Sequence, residues 1–572
     1  MVPMLILSAA EMQACDRATT ERLGIPSIDL MRAASAGVAN FAYRQFPHAH
    51  RVTVLCGRGN NGGDGMMAAR LLADAGLDVT TLLLGAPDQL SGDAGIAWRE
   101  LTTPAHGATF VVENVEQLQH HQSTLQADLV VDAVLGTGFK PPLRGLALDA
   151  LQWLKAGHAP VLAVDLPSGW PADETSPTLD AAVFPADAVV TFTAPKPAHV
   201  FGQLTRRWDQ PIVVAPIGSP EPAIVSTLGL HWSGSSLALV QAPRAAASNK
   251  GNFGHVLVVG GAVGRSGAPS MAALAALRAG AGLVTAAIPA PLLTAVASLA
   301  PELMTWPLEA SPTGGIAAEE NADPDALEAL TSGKSVLAIG PGLGQRAETA
   351  KFTAALLHAT KMPAVLDADA LNILAANADL LAGLAASAKG GRTVVLTPHP
   401  GEMARLAGAT VGAIQSDRLA AARAFAQRHG VILVLKGART LIAHPDGRVA
   451  VNTTGNPGMA KGGSGDLLTG LIAGLLAQHP RQPAQAVEAA VYLHGLAADF
   501  AVHDADEHTL LATDSLAHLA QAFRFPGADF HPSDKSPSPP GFATPDFQSP
   551  GKNGYVWLQG HCVQQRLGGV PR

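Results

Sequence analysis

The segment Asn452–Gly470, NTTGNPGMAKGGSGDLLTG, sets a glycine-crowded loop directly before an apolar helix and places one carboxylate, Asp466, at the junction. Glycines let backbone N–H groups turn toward an anion with no Cβ in the way, and a helix N-terminus adds a partial positive charge, so the loop reads as a phosphate cradle. A carboxylate repels phosphate. At this position Asp466 instead suits a hydroxyl, whose proton it takes while the oxygen attacks a phosphoryl group. A flexible turn before a helix is the plain alternative.

Three strand ends in the N-terminal half carry further chemistry. Val52–Cys56 runs into Gly57-Arg58-Gly59-Asn60-Asn61-Gly62-Gly63-Asp64-Gly65 and then a helix, which puts a glycine loop at the carboxyl end of a strand, where open α/β sheets bind ligands. The spacing is not the dinucleotide fingerprint and no acidic residue ends the next strand, so a redox Rossmann domain is not expected. Asp132 lies in the apolar run before Gly136-Thr137-Gly138, and Asp165 ends the run before Pro167-Ser168-Gly169. Either aspartate alone reads equally well as a turn cap. Together, Asn61, Asp132 and Ser168 can offer oxygens to a hard cation while Asp165 stays free for acid/base work.

In the C-terminal half, Gly340-Pro341-Gly342-Leu343-Gly344, Asp367-Ala368-Asp369, Thr397-Pro398-His399-Pro400 and Leu435-Lys436-Gly437-Ala438 each end a predicted strand. Their convergence on one sheet edge would form a cleft for a nucleotide and a second substrate. Taken singly, His399 between prolines can simply stiffen a turn, and Lys436 can be a solvated strand-end lysine.

These residues need a frame. From Arg51 onward short β-rich runs alternate with helical patterns, which predicts an α/β fold with a parallel sheet covered on both faces. A Pro/Ser/Gly-rich stretch follows Gly218, after which the alternation restarts at His255–Gly260, so two domains are expected: 1–218, a linker over 219–235, and 236–525. A hairpin turning at Pro445-Asp446-Gly447 leads into the phosphate loop. Beyond Phe525, Pro, Ser, Gly and Asp dominate, and residues 526–572 read as a disordered tail. With 572 residues, 48% of them hydrophobic and only 15% charged, the chain is globular. A net charge of −8 without basic runs gives no nucleic-acid footprint. Cys15, Cys56 and Cys562 lie too far apart in sequence to form a metal-ligand motif and suit a reducing cytoplasm. No secretory signal or membrane span is expected, since the most apolar stretch, Ser270–Pro301, is interrupted by Arg278.

The GNNGGDG loop, the Asp132–Gly138 turn and the Asp165-Leu166-Pro167-Ser168-Gly169 strand end resemble the epimerase domain of the NAD(P)H-hydrate repair family. The resemblance spans roughly Ser8–Gly218, although Leu30-Met31-Arg32 departs from the family's acidic residue after the Leu-Met pair. It implies that Asn60, Asn61, Gly62, Gly63, Asp64, Gly136, Thr137, Gly138, Phe139, Lys140, Pro141, Pro142 and Asp165 line a hydrated-dinucleotide site, with potassium on Asn61, Asp132 and Ser168. The second half, with Asn249-Lys250-Gly251 and Ser266-Gly267-Ala268-Pro269 opening it, resembles the ribokinase-like superfamily in its ADP-dependent NAD(P)H-hydrate dehydratase branch. That likeness implies contacts from Ala268, Gly344, His399 and Asp466 to the hydrated dinucleotide. It assigns Lys436, Gly437, Ala438, Arg439, Thr440 and Gly465 to the adenine nucleotide.

Both sets in this order on one chain imply two three-layer αβα domains, Rossmann-like then ribokinase-like. The implied enzyme is bifunctional: it epimerises R- and S-NAD(P)HX, then dehydrates the S form with ADP as co-substrate and Mg2+ and K+ as ions. The expected state is a cytoplasmic homo-oligomer. The rival reading is a vitamin-precursor kinase fused to a non-catalytic binding domain.

Overall fold

The computed structural model describes residues 3–103, 106–525 and 554–562. The chain forms two compact units, Met4–Leu228 together with 554–562, and Gly229–Phe525.

The first unit holds strands β1 Arg51–Cys56, β2 Asp78–Leu84, β3 Ala108–Val112, β4 Leu129–Ala133, β5 Val161–Val164, β6 Ala188–Phe192 and β7 Ile212–Ala215. These seven strands run β7-β6-β5-β4-β1-β2-β3, parallel to one another. Near-continuous burial along β1, β4, β5 and β6 is what a sheet covered on both faces requires. The order reverses between β1 and β4, so the loops after these two strands diverge and leave a crevice at the strands' carboxyl ends.

The second unit holds β8 Leu230–Trp232, β9 His255–Val259, β10 Leu283–Pro289, β11 Met304–Leu308, β12 Val336–Ile339, β13 Ala364–Leu366, β14 Val394–Leu396, β15 Ile432–Leu435, β16 Leu441–Ala443 and β17 Val449–Val451. They order as β11-β10-β9-β12-β13-β14-β15-β16-β17-β8. The sheet is parallel except where β16 pairs antiparallel with both β15 and β17, the hairpin at Pro445-Asp446-Gly447. Here the order reverses between β9 and β12; Gly344 lies in the loop after β12 and Ala268 in the first turn of the helix Gly267–Arg278 that follows β9.

Two expectations are corrected. The stretch 219–235 is more than a linker: β8 lies in it and pairs parallel with β17, with all three residues buried. Three residues are too few to show a period among prolines and serines. Within the expected disordered tail, Val556–Gln559 forms β18, antiparallel to β7, so this part of the tail is ordered. Trp557 packs on Phe41, and the Tyr555 hydroxyl donates to the Gly37 carbonyl at 2.6 Å. Burying two aromatic rings and pairing an otherwise open edge outweighs the ordering cost of so short a segment. The rest of the tail lies outside the described residues.

Edge strand β8 is tied down by a buried polar cluster. Glu488, on helix Pro483–Asp504, accepts from His231 Nε2 at 3.0 Å, from His444 Nε2 at 2.7 Å and from the Ser236 hydroxyl. Burial pushes its carboxyl up, but the two imidazoles outweigh this and hold it down to about 2. A depressed folded value contributes stability above the ordinary 4.5 that is lost as pH falls toward about 2. Glu488→Ala strands two buried imidazoles and is expected to cost the second unit roughly 3 kcal/mol in urea unfolding. An unchanged midpoint would show that the cluster holds nothing together.

Candidate active sites

Helix Asn60–Asp74 follows β1 and opens at Gly59 with no side-chain cap. The tight entry requires glycine: a Cβ on Gly62 would collide with the Gly57 carbonyl. The crevice between the β1 and β4 loops is a cavity of about 1110 Å³. Asn60, Asn61, Asp64, Gly136, Thr137, Gly138, Phe139 and Asp165 line it. Gly62 and Gly63 lie buried in the helix behind, and Lys140, Pro141 and Pro142 are exposed and off the lining.

Asp165 is 6% exposed and sits at φ +66°, in the left-handed region that costs a non-glycine residue about 1–3 kcal/mol. Four such residues occur among those described, Asp165, Thr193, Ala368 and Arg439, each within four residues of a strand end. The Asp165 Oδ2 accepts from the Thr137 N–H at 2.8 Å and hydroxyl at 2.6 Å; Oδ1 accepts from Lys196 Nζ at 2.8 Å and the Thr191 hydroxyl at 2.9 Å. Burial alone would raise the carboxyl, but the Lys196 ammonium, His199 and the Thr137 hydroxyl together outweigh it and hold the group well below the usual carboxylate range. Asp64 goes the other way, raised by burial and then by the charges of Asp165, Asp16 and Asp93.

Lys196, Thr191 and His199 escaped the sequence reading. The signal was present for one of them: Lys196 stands between two prolines immediately past a strand.

Of the three proposed cation ligands, Asp132 and Ser168 touch directly, with the Ser168 N–H on Oδ2 at 2.8 Å and its hydroxyl on Oδ1 at 2.6 Å. Asn61 Oδ1 flanks Gly136 beside Asp165. Asp132 is fully buried and pairs with no cation among the described residues, and burial raises its carboxyl to about 6. A buried carboxylate lacking a positive partner, with the Ser168 hydroxyl oxygen beside it, fits a hard monovalent cation.

In the second unit, helix Ser464–Gln478 starts at Gly463, φ +99°, again with no side-chain cap, so its first N–H groups are left for an anion. Asp466 lies in its first turn. Burial raises its carboxyl to about 6, the Asp367 charge adds to this, and Lys436 opposes both. Lys436 Nζ bonds Asp367 Oδ1 at 2.8 Å and lies beside Gly465; the Thr469 hydroxyl holds Asp367 Oδ2 at 2.8 Å. Asp367 was expected at the cleft only as part of its strand end, with no role assigned, and Thr469 was not predicted.

His399 caps helix Pro400–Ala407: its Nδ1 accepts the Gly401 N–H at 3.0 Å, which leaves Nε2 to carry the proton in the neutral ring. Burial lowers its pKa, aided by Lys436. Ala268 abuts the Gly342 turn, and the Gly344 N–H is held by Asp369 at 2.8 Å. Arg439 turns its guanidinium back onto the Thr453 carbonyl at 2.9 Å, while Arg418 caps the Ala438 carbonyl at 2.6 Å. The segment Lys436–Thr440 therefore offers a nucleotide mainly backbone and the Lys436 ammonium.

Residues 256–521 match the family model described as NAD(P)H-hydrate dehydratase, and residues 27–198 match that of the YjeF-related protein N-terminus. The chain is 41% identical over 538 residues to the bifunctional NAD(P)H-hydrate repair enzyme of Moorella thermoacetica, covering 91% of this chain and 97% of that protein. It is 35% identical over 554 residues to that of Escherichia coli, covering 94% and 98%. A solved ADP/ATP-dependent NAD(P)H-hydrate dehydratase from Bacillus subtilis, co-crystallised with ATP and Mg2+, is 33% identical over 50% of this chain and 96% of its own, with a TM-score of 0.42.

Proposed function

We infer the chemistry from the family to which this chain belongs, the bifunctional NAD(P)H-hydrate repair enzymes: its first unit interconverts R- and S-NAD(P)HX and its second dehydrates the S form at the expense of ADP. The observation that carries the second half is the placement of Asp466. Its carboxyl, held near 6, is ionised at neutral pH yet basic enough to accept a hydroxyl proton, and it stands beside an uncapped helix N-terminus and Lys436.

The C6 hydroxyl of the hydrate attacks the β-phosphorus of ADP as Asp466 takes its proton, and AMP departs. The phosphorylated oxygen is then a far better leaving group than hydroxide, and the ring nitrogen lone pair expels it as inorganic phosphate, restoring NADH or NADPH. Lys436 and the N–H groups at Gly465 would hold the phosphates. A Mg2+ ion carried on the nucleotide would supply charge neutralisation on the phosphates, and the Glu402 carboxylate, 3.9 Å from Lys436 Nζ, is the group that would hold it. In the first unit Asp132, Ser168 and Asn61 would hold K+, which balances the buried Asp132 charge.

The lining set of each site is part of this reading, as is a homo-oligomer working among cytoplasmic NADH and NADPH. Among the described residues no single helix is long and apolar enough to cross a membrane.

Incubating the full chain with a mixture of R- and S-NADHX, ADP, Mg2+ and K+ is expected to restore the near-ultraviolet absorbance of the whole mixture, with one AMP and one phosphate per NADH. Hydrates left untouched, with phosphate transferred instead to an added hydroxymethylpyrimidine, thiazole or pyridoxal, would point to a vitamin-precursor kinase.

A further inference from the structure

Asp165 is the residue expected to move a proton in the first unit, yet its geometry argues otherwise. Four donors fill its two oxygens, from Thr137 twice, Thr191 and Lys196, so accepting a substrate proton means breaking contacts that hold it ionised. Lys196 differs. It is 2% exposed and lines the same cavity. An ammonium has three N–H donors, and two are spent, on Asp165 Oδ1 and on the Thr191 hydroxyl, each at 2.8 Å.

The lysine is also braced from behind. Its backbone N–H donates to His199 Nδ1 at 3.0 Å, and the same imidazole donates from Nε2 to the Asp165 carbonyl at 2.7 Å. His199 is fully buried, and burial lowers its pKa to about 4, so it acts as a neutral strut that fixes the spacing of Lys196 and Asp165. Two residues of this unit that carry backbone strain, Asp165 and Thr193, flank the strut. Such a frame is what precise placement of one ammonium at a cavity wall requires.

We propose that Lys196 is the proton-transferring catalytic residue of the epimerase site, with Asp165, Thr191 and His199 as its positioning residues; this rests on the epimerase reading above. The third ammonium proton passes to the C6 hydroxyl oxygen. The C6–O bond breaks, water leaves, and the ring nitrogen lone pair forms a C6=N1 iminium. Water adds to the opposite face of C6, and its surplus proton returns to the Lys196 amine. One C–O bond breaks and one forms, no electron leaves the ring, and only the configuration at C6 changes.

The test uses the full chain and pure R-NADHX without ADP, with epimers separated by liquid chromatography. Lys196→Met and Lys196→Cys are expected to slow conversion by about 10²–10⁴-fold, the span for loss of a general acid–base group. Aminoethylation of Lys196→Cys restores an ammonium and is expected to recover much of the rate; the three native cysteines are buried, so the alkylated native chain is a clean control. A purely structural lysine would not respond to that rescue. Dehydration of pure S-NADHX with ADP in the same samples reports on the rest of the chain.

Lys196→Met at the native rate, or no recovery on aminoethylation, overturns the proposal. Full loss in Asp64→Asn with Lys196→Met unimpaired transfers the role to Asp64. No epimerisation by the native chain removes the underlying reading instead.

Discussion

Asp466→Asn is expected to lower kcat for S-NADHX dehydration by about 10²–10⁴-fold, the range for loss of a general base, while KM for ADP stays within a few-fold of native. The split follows from what the side chain does. Asn keeps the volume and the helix start at Gly463, so the loop and its N–H groups remain for the phosphates. It cannot accept the hydroxyl proton, so only the step that needs this slows. The native pH profile carries the same information. Burial, then the Asp367 charge, raises the Asp466 carboxyl to about 6, so the rate should climb as pH rises through that value and level off above it. In the Asn variant that limb should vanish from the residual rate. Steady-state kinetics between pH 5 and 8 would settle it; a large rise in KM for ADP at unchanged kcat would mean that Asp466 serves the nucleotide and not the hydroxyl.

How much of this was legible follows from where the signal resides. The two sheets were readable because β1, β4, β9 and β15 are near-continuous apolar runs, each followed by glycine, proline or a lone charge. Switch-point loops need glycine for close approach, so Gly57–Gly65 and Gly340–Gly344 announce themselves in composition. Strand β8 and strand β18 did not. One is three residues long and the other four, and neither shows a period; their strand state is set by the partners β17 and β7 across the sheet.

The same limit applies inside the sites. Asp132, Asp165 and Asp466 stand out in sequence because a carboxylate interrupts an apolar or glycine-rich run. Lys196 and Asp367 act through residues 31 and 69 positions away, and a local window holds only half of each pair. Chain order also hid the fate of Arg439. It lies in the Lys436–Thr440 stretch that the family resemblance assigns to the adenine nucleotide, whereas in the fold its guanidinium donates to the Thr453 carbonyl.

Asp367 and Lys436 should move the acid limb of dehydration in opposite directions. Asp367 raises the Asp466 carboxyl by like-charge repulsion, and Lys436 lowers it by attraction. Asp367→Asn removes the repulsion and frees the ammonium of its nearest carboxylate, 2.8 Å away, so the limb should shift below about 6. Lys436→Met removes the attraction and should shift the limb above that value. The variants also differ in rate. Lys436→Met loses a charge proposed to meet developing negative charge on the transferred phosphoryl group, and about 10²-fold in kcat is the order for one such donor. Asp367→Asn keeps that charge but leaves the Thr469 hydroxyl and the ammonium to an amide in place of a carboxylate, so Lys436 is held less firmly and KM for ADP should rise along with the fall in kcat. Because the residues touch, the double variant should be less impaired than the product of the single effects. Limb shifts of the same sign in the two variants would mean that Asp466 does not titrate under the field of this pair, and the base would have to be sought elsewhere in the site.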